Sequence, residues 1–516
     1  MTHQDAYRAV GHESATFNDL LIEQLKSAPW LLISLSIHVL IAIVLHFISA
    51  GGMTSVLIQP IEVQAAEAVQ EEIPLPVVQD DVNEVKPTDQ VSEEPVVKDT
   101  EVADHNETDN DEDTEQSKGE EDALSDKPFD LSQSGDTMGL GGGGGGPFGT
   151  RIGGSKNLKS GPGSGGSPIT VKQGLDWLSA HQSPDGRWDC DGFMANGDAA
   201  KGPLCDGKGM ATYDVGVTGL ALLCFLGAGH TTKVGDYQDT VREGLKWLKS
   251  MQDSDGCFGP RGDPHHTYSH GIAALAMAEA FGMTQSGIWK TSAQSGINYV
   301  MHSQNPYKAW RYGARPGDND ISVTGWMVMA LKSAKMAGLD INDNSLAWSL
   351  DFTKEMTDEE TGRTGYMKRG ERPVRAEGRV ERWPAEESES LTGVGIINRV
   401  FAGEDPATSP AIKAGAELIS RRLPVWDPKG GKVDMYYWYY ATLAMFQVGG
   451  PQWNAWNSKL ESAVIKTQRS DGNFAGSWDP VDPWGEDGGR VYSTALMTLC
   501  MEVYYRYPRV FGAAGR

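Results

Sequence analysis

The sequence is poor in basic residues, in cysteine and in hydrophobic residues for its length. It has 45 Lys and Arg against 70 Asp and Glu over 516 residues, a formal net charge of −25. Because nucleic-acid binding needs a basic surface, this balance argues against a nucleic-acid partner. The 5 cysteines are an odd number and no C-x-x-C pair occurs, which fits neither a disulfide scaffold nor a clear zinc module. A hydrophobic fraction of 39% indicates that part of the chain is not globular.

One long apolar run is present near the N-terminus. Residues 30–50 carry no charge and are long enough to cross the hydrocarbon core as a single transmembrane helix. Arg8 and Lys26 precede this run and no Lys or Arg follows until Lys86, which places residues 1–29 in the cytoplasm. A cleaved signal peptide is the alternative, but the long, weakly basic lead favours an uncleaved anchor.

Two polar residues, Ser34 and His38, lie four apart and therefore on one face of the predicted membrane helix. This pair resembles the transmembrane segment of TonB-type energy transducers. The resemblance implies an ExbB/ExbD-like, proton-driven motor as a partner in the inner membrane. The alternative is that Ser34 bonds a backbone carbonyl and that His38 packs as a neutral ring against another helix.

Two segments of biased composition follow. Residues 51–137 are acidic and contain prolines, and they cannot bury enough apolar surface to offset chain entropy, so we expect a disordered linker. Residues 138–167 are Gly-rich and predict a flexible tether. Neither a preceding strand nor a following Lys-Ser/Thr accompanies these glycines, so they are not a phosphate-binding loop. Anchor and tether would hold a periplasmic domain, residues 168–510, away from the membrane.

A repeated unit characterises residues 168–510. Segments 174–188 and 244–258 align without a gap, and a third copy begins at Gln468. The aligned positions are Trp177 with Trp247, Gln182 with Gln252, Asp185-Gly186 with Asp255-Gly256, and Trp188 with Phe258; the third copy continues through Asp471-Gly472 to Phe474. Each copy predicts an amphipathic helix that ends at a tight turn, in which Gly supplies positive φ. A long-period repeat of this kind predicts a repeat architecture.

A second, strongly apolar helix follows each loop. These helices are predicted to start at Asp214, Tyr268, Ile321, Glu389, Tyr436 and Tyr492. Six such hairpins give about twelve helices. Because nearly continuous apolar runs are typical of helices buried on all sides, we expect an inner ring of buried helices inside an outer, amphipathic ring.

The repeats resemble the QW repeats of squalene–hopene cyclases and the matching repeats of protein prenyltransferase β subunits. This resemblance implies an all-α, (α/α)6 toroid in which the Gln caps a helix and the aromatic residue stacks beside it. It is specific for the fold and weak for activity, because one toroid hosts cyclases, transferases and binding domains.

The catalytic motif of class II terpene cyclases is only partly matched. Those enzymes resemble one another in an Asp-x-Asp-Asp motif whose middle Asp protonates the polyene. The nearest match here is Asp318-Asn319-Asp320-Ile321, so Asp320 falls on the proton donor and Ile321 replaces the last Asp. Loss of that carboxyl group changes the coupled titration of the motif. The alternative role for Asp320 is the N-cap of the helix that follows.

The metal and thioester chemistry of related toroids is not matched. His265, His266, His270 and Cys257 lie close in sequence, but no Asp-x-Cys with a matching His occurs in the late repeats, as the prenyltransferase zinc site would require. Gly-Cys-Gly-Glu-Gln, which forms the thioester of complement-type toroids, is absent. We therefore expect neither a metal nor a cofactor.

Aromatic residues crowd the predicted starts of the inner helices. They either line a cavity, where cation–π contacts would stabilise a cation, or simply pack the core. The candidate ligand contacts are Asp214, His270, Trp326, Tyr436, Trp438, Arg490 and Tyr492. The arginines near these starts, Arg311, Arg315 and Arg490, either clamp an anionic group or pair with Asp318, Glu486 or Asp487.

The sequence therefore predicts a membrane-anchored toroid in the cell envelope whose central cavity binds an apolar or peptide-like ligand. The alternative function is an isoprenoid cyclase with Asp320 as general acid, and a third is a structural spacer with a filled centre. Cys190 and Cys205 share one loop and form either a disulfide or a reduced pair. The ligand and the oligomeric state are not determined by the sequence.

Overall fold

A computed structural model describes residues 38–39, 148–149, 151, 166–263, 265–376, 378–506 and 510–511. Within these residues the protein is helical, and extended pairing is limited to isolated bridges such as Gln252 with Phe258. Among the described helices, none combines the length and apolarity needed to cross a membrane. Of the predicted span 30–50, only His38 and Val39 are described, and they are helical; the predicted linker 51–137 lies outside the described residues.

The described residues contain twelve helices of eleven residues or more, which alternate between two rings. The outer helices are α1 (Ser167–Ala180), α3 (Gln238–Ser250), α5 (Gly287–Ser303), α7 (Asp343–Met356), α9 (Pro410–Ser420) and α11 (Gly450–Ile465). The inner helices are α2 (Asp214–Gly227), α4 (His266–Thr284), α6 (Ile321–Ala337), α8 (Ser390–Phe401), α10 (Met435–Val448) and α12 (Gly485–Met501), and a single turn, α13 (Val503–Arg506), follows.

Hydrophobic pattern decides which ring a helix joins. In α2 every residue except Asp214 is buried, so no face of this helix meets water. In α3 only the stripe of Val241, Gly244, Leu245, Trp247 and Leu248 is buried, and the opposite face is charged. A helix that is apolar all round is stable only where other helices surround it, whereas an amphipathic helix has one face for the core.

The inner helices form a closed ring. In order round the ring, α2 packs on α4, α4 on α6, α6 on α8, α8 on α10 and α10 on α12, and α12 returns to α2. Every outer helix packs on the inner ring, and α5, α7 and α9 each contact two inner helices; α1 contacts the inner helices α12 and α2 and the last outer helix, α11. The predicted (α/α)6 toroid is thus confirmed by contacts between the first and last hairpins.

The repeated glutamine joins successive outer helices. Gln182 Nε2 donates to Gly186 O at 2.7 Å and to Thr240 O, in α3, at 2.9 Å. Gln252 makes the same two bonds within its own turn and to α5. Gln304, which was not among the aligned copies, makes the same two bonds, within its own turn and to α7. Each amide therefore closes its own turn and fixes the next hairpin.

The aromatic position of the motif closes the end of an outer helix. The indole N–H of Trp188 donates to Leu178 O at 2.7 Å, and that of Trp310 donates to Val300 O at 2.7 Å. In the last copy this role belongs to Trp478, which donates to Val464 O at 2.8 Å. The alignment of Phe474 with this position was therefore wrong, because the loop after Gln468 is four residues longer than in the other copies.

Part of the Gly-rich segment is packed against the toroid. Phe148 and Arg151 are 5% and 0% exposed, although they lie within residues 138–167, which composition predicts to be a flexible tether. The first helix starts at Ser167, one residue before the predicted domain boundary at 168. The ordered domain therefore includes residues upstream of that boundary.

Candidate functional site

A cavity of about 410 Å³ opens at one end of the ring. Its walls come from the N-terminal halves of the inner helices, and from the loops that lead into them. Eight of its lining residues are aromatic: Tyr213, Tyr268, Tyr312, Trp326, Tyr366, Tyr436, Trp484 and Tyr492. Apolar side chains such as Val217, Leu220, Ile272 and Leu391 complete the wall. The site is a concave, mostly apolar pocket, the usual form of a small-molecule site.

The other end of the ring is filled. Side chains from the C-terminal halves of the inner helices, among them Leu223, Ala276, Leu331, Met445 and Leu499, are 0–1% exposed. The cavity is therefore a blind pocket within the described residues, and its mouth lies where the inner helices begin. Because helix N-termini carry partial positive charge, six of them around one mouth make it weakly attractive to anionic groups.

The loop between α7 and α8 covers part of the mouth. Arg375 and Arg379 in this loop both line the cavity. Arg375 donates to Asp434 Oδ2 at 2.6 Å, and Arg379 donates to both carboxylate oxygens of Asp487 at 2.6 and 3.0 Å. Their charges are therefore matched by carboxylates, and the pocket is left without a free cation among these arginines.

Trp326 is the centre of the aromatic wall. Its ring stacks on Tyr439 with a centroid distance of 5.6 Å and an interplanar angle of 14°, and it meets Tyr440 edge-on at 5.5 Å. Tyr436 contacts Tyr440 at 5.1 Å and Trp484 at 6.4 Å. Such contacts hold the rings rigidly, so they present preformed faces to the cavity.

Asp320 is the N-cap of α6. Its Oδ1 accepts from the backbone N–H of Val323 at 2.8 Å and from the Ser322 hydroxyl at 2.7 Å. The side chain is 0% exposed, and burial raises its pKa to about 6 while these hydrogen bonds lower it. Asp318, its partner in the partial motif, is half exposed and pairs with Arg311.

Hydroxyl groups connect Asp320 to the cavity. Tyr366 Oη donates to Asp320 Oδ2 at 3.4 Å, and Tyr366 and Tyr312 share a hydrogen bond of 2.7 Å. On the other side, Ser322 bonds both Asp320 and Tyr268. These four hydroxyl-bearing residues line the pocket, whereas the carboxyl group lies behind them.

A second carboxyl–phenol pair lies across the ring. Tyr492 Oη donates to Asp482 Oδ2 at 3.0 Å, and Asp482 also accepts from the backbone N–H groups of Met435 and Trp484. Burial raises the pKa of Asp482 to about 7, and the nearby carboxylate of Asp434 adds to this rise. Nothing in the sequence pointed to Asp482, because it lies in a loop and not in a recognisable motif.

Three of the seven candidate ligand contacts line the cavity, namely Trp326, Tyr436 and Tyr492. Trp438 faces the opposite side of α10, where it is 1% exposed and meets Trp426 at 6.2 Å. Arg490 is also buried and binds Asp479 at 2.7 Å and Asp206 at 2.5 Å. The five successive aromatic residues of α10 therefore divide between the cavity and the outer layer.

The other two candidates lie away from the pocket. His270 accepts from the backbone N–H of Phe258 at 3.1 Å and stacks on that ring, and burial lowers its pKa to about 3. Asp214 accepts from the backbone N–H of Cys190 at 2.8 Å and lies 3.6 Å from Arg187. Both residues hold loops to inner helices.

The remaining arginines are engaged in the structure of the rim. Arg311 pairs with Asp318, as the ion-pair alternative expected. Arg315 donates through Nε to His302 O at 2.7 Å. Glu486 lies 3.7 Å from Arg379, the same arginine that pairs with Asp487.

A potential metal-binding group among the described residues consists of Asp189, Asp191 and Asp214, whose oxygens lie within 4.8 Å of one another. Arg187 lies 2.8 Å from Asp189, which gives these carboxylates a cation already. His265, His266, His270 and Cys257 form no such group within the part of the chain that the structure describes.

The five cysteines are free and buried, so Cys190 and Cys205 are a reduced pair here.

No family model matches the chain, and no curated protein matches it. Solved structures similar to it include the apo type II terpene cyclase from Scytonema, with a TM-score of 0.42 and 12% identity over 67% of this chain and 98% of that one. The α-1,6-mannanase from Salegentibacter has a TM-score of 0.45 and 10% identity, over 65% of this chain and 98% of the mannanase. An α-amylase from Clostridium perfringens has a TM-score of 0.41 and 13% identity, over 65% of this chain and 98% of the amylase. All three scores are below 0.5, so the toroid assignment rests on the helix contacts above.

Proposed function

We propose that the toroid is a binding module whose cavity takes a ligand with an apolar or peptide-like body. The observation that carries this proposal is the blind pocket of about 410 Å³ with eight aromatic residues in its wall. Rigid aromatic faces bind apolar chains and peptide side chains through burial, and the tyrosine hydroxyls add hydrogen bonds at the edges. A structural spacer would have a filled centre, and the pocket speaks against that alternative.

Mass spectrometry of an extract of the purified protein tests this proposal. We expect a compound that co-purifies with the wild-type protein and is lost in Trp326→Ala, since Trp326 lines the wall. Trp438→Ala is the matched control, because Trp438 is equally buried but faces away from the pocket. If the folded wild-type protein carries no compound and takes up none from a lipid or peptide extract, ligand binding is rejected.

The alternative function is an isoprenoid cyclase with Asp320 as general acid. It is supported by the raised pKa of Asp320 and by the hydroxyl bridges to the pocket. The complete burial of the carboxyl group and its use as an N-cap favour binding over this alternative. Incubation with squalene or a shorter prenyl chain, followed by a search for cyclic product, decides between them. Asp320→Asn keeps the helix cap, since Asn is also a good N-cap, but removes the carboxyl proton. Loss of product in this variant would therefore report on proton donation and not on loss of the cap.

We further propose that residues 30–50 anchor the protein in the inner membrane, with the N-terminus cytoplasmic and the toroid periplasmic. The uncharged run and the basic residues before it support this placement. Ser34 and His38 support coupling to an ExbB/ExbD-like motor. Purification in mild detergent should retain such a subunit with the wild-type protein and lose it in His38→Ala. Purification without it would refute the coupling and leave the cavity proposal untouched.

A further inference from the structure

We propose that Phe148 and Arg151 form a latch that docks into a socket at the closed end of the toroid. These described residues therefore contact the ring at the end opposite the mouth of the cavity. The described latch residues are Phe148, Gly149 and Arg151. The socket consists of Glu279, Gly282 and Met283 on α4, together with the backbone carbonyl of Arg506 at the end of α13.

The polar half of the latch is a buried ion pair. Arg151 donates to Glu279 Oε2 at 2.7 Å and to Oε1 at 3.1 Å, and its Nε donates to Arg506 O at 3.0 Å. Both charged side chains are 0% exposed. Arginine is almost never fully buried unless it is paired, and a two-point bond to a carboxylate is the most specific form of that pairing.

The apolar half of the latch occupies a site left open by a glycine. Phe148 is 5% exposed, and a Cβ atom added to Gly282 would lie 2.4 Å from the Phe148 ring. The guanidinium of Arg151 lies 4.9 Å from the centre of the same ring. The backbone N–H of Arg151 donates to Phe148 O at 3.1 Å. The latch is thus a compact turn that fits the socket in shape as well as in charge.

The position of Glu279 shows at which end of the ring the latch lies. Tyr268 and Ile272 at the start of α4 line the cavity, whereas Glu279 lies thirteen residues after the first residue of that helix, His266. At 1.5 Å per residue this is about 20 Å along the axis, so the latch is at the far end of the ring.

Limited trypsin digestion of the full-length protein tests the latch directly. Trypsin cuts after Arg151 only when that side chain leaves the socket, so the wild-type protein should be cut slowly at this bond. Phe148→Ala, Glu279→Gln and Gly282→Val should each speed this cut by about tenfold or more, because they favour local opening. Ile169→Ala is the control, since Ile169 is 64% exposed on α1 and should leave the rate unchanged.

Circular dichroism of each variant shows whether the ring is intact. A folded Phe148→Ala protein that is cut after Arg151 no faster than the wild type would overturn the proposal. So would a wild-type protein cut there as fast as the urea-unfolded chain. Loss of helix content in Phe148→Ala would support docking, since Phe148 lies outside the ring helices. The digestion uses no ligand, so its result is independent of the cavity proposal.

Discussion

The side-chain amide of Gln468 donates to the backbone carbonyl of Thr170 at 2.9 Å, across 298 residues of chain. The same nitrogen bonds Gly476 O at 2.9 Å. This is the bond that each earlier glutamine makes to the next outer helix, except that here the next helix is the first one. The toroid is closed by the same interaction that builds it.

Gln468→Ala should therefore weaken the whole ring. Two carbonyl groups lose their donor, and we expect the free energy of unfolding to fall by about 1–3 kcal/mol. Urea denaturation followed by circular dichroism measures this. Gln173→Ala, an exposed position on α1, is the control and should have little effect. Equal stability of the two variants would show that the glutamine does not hold the seam.

Gly186 should tolerate no side chain. Its φ is 97°, and a Cβ atom would lie 2.3 Å from Glu243 O. Gly202 has a φ of 107° but open space around it. Gly202→Ala should cost about 1–2 kcal/mol for the backbone strain alone, and Gly186→Ala should cost clearly more, because it adds a clash. Thermal unfolding measures the loss of stability in each variant, and equal losses in Gly186→Ala and Gly202→Ala would contradict the predicted clash.

Asp482 should make the folded state less stable as the pH rises. Burial raises its folded-state pKa from 3.8 to about 7, so the native state holds a proton that the unfolded state has already lost. The stabilisation that this retained proton gives the folded state is fully present below about pH 4. It is lost as the pH rises towards 7, and it amounts to about 1.4 kcal/mol for each unit by which the folded and unfolded pKa values differ.

The comparison that isolates this effect is Asp482→Asn, which cannot ionise and can still accept from Tyr492. We expect the wild-type protein to lose more stability than this variant between pH 4.5 and pH 7.5, measured by urea denaturation. Parallel pH profiles for the two proteins would mean that the Asp482 carboxyl group does not titrate in this range.

The Arg151–Glu279 pair gives a further prediction. Arg151→Met removes the guanidinium that lies 2.7 Å from the buried Glu279 carboxylate, whereas the Arg506 guanidinium lies farther away, at 3.5 Å. We expect a loss of about 3–5 kcal/mol, as for other buried pairs that lose one partner. The double variant Arg151→Met/Glu279→Met should be more stable than Arg151→Met alone. If the two substitutions simply add, measured by urea denaturation, the residues are not energetically coupled.

Much of the fold could be predicted from local pattern. The starts of the inner helices at Asp214 and Ile321 agree with the structure, because each follows a loop and opens a long apolar run. The site was less predictable. Trp326 and Trp438 lie in similar apolar runs, yet one lines the cavity and the other faces the outer layer. A helix that is apolar on all sides has no periodicity to show which face is which.

The sequence by itself determined the repeating hairpin, the turn glycines and the division of helices into two rings, because these follow from contacts within a few residues. The tertiary structure alone decided which aromatic rings face the cavity, that Asp320 lies behind Tyr366, and that Arg151 reaches Glu279. These relationships join residues that are far apart in the chain. They exist only after the ring has closed and excluded water, and no local pattern encodes them.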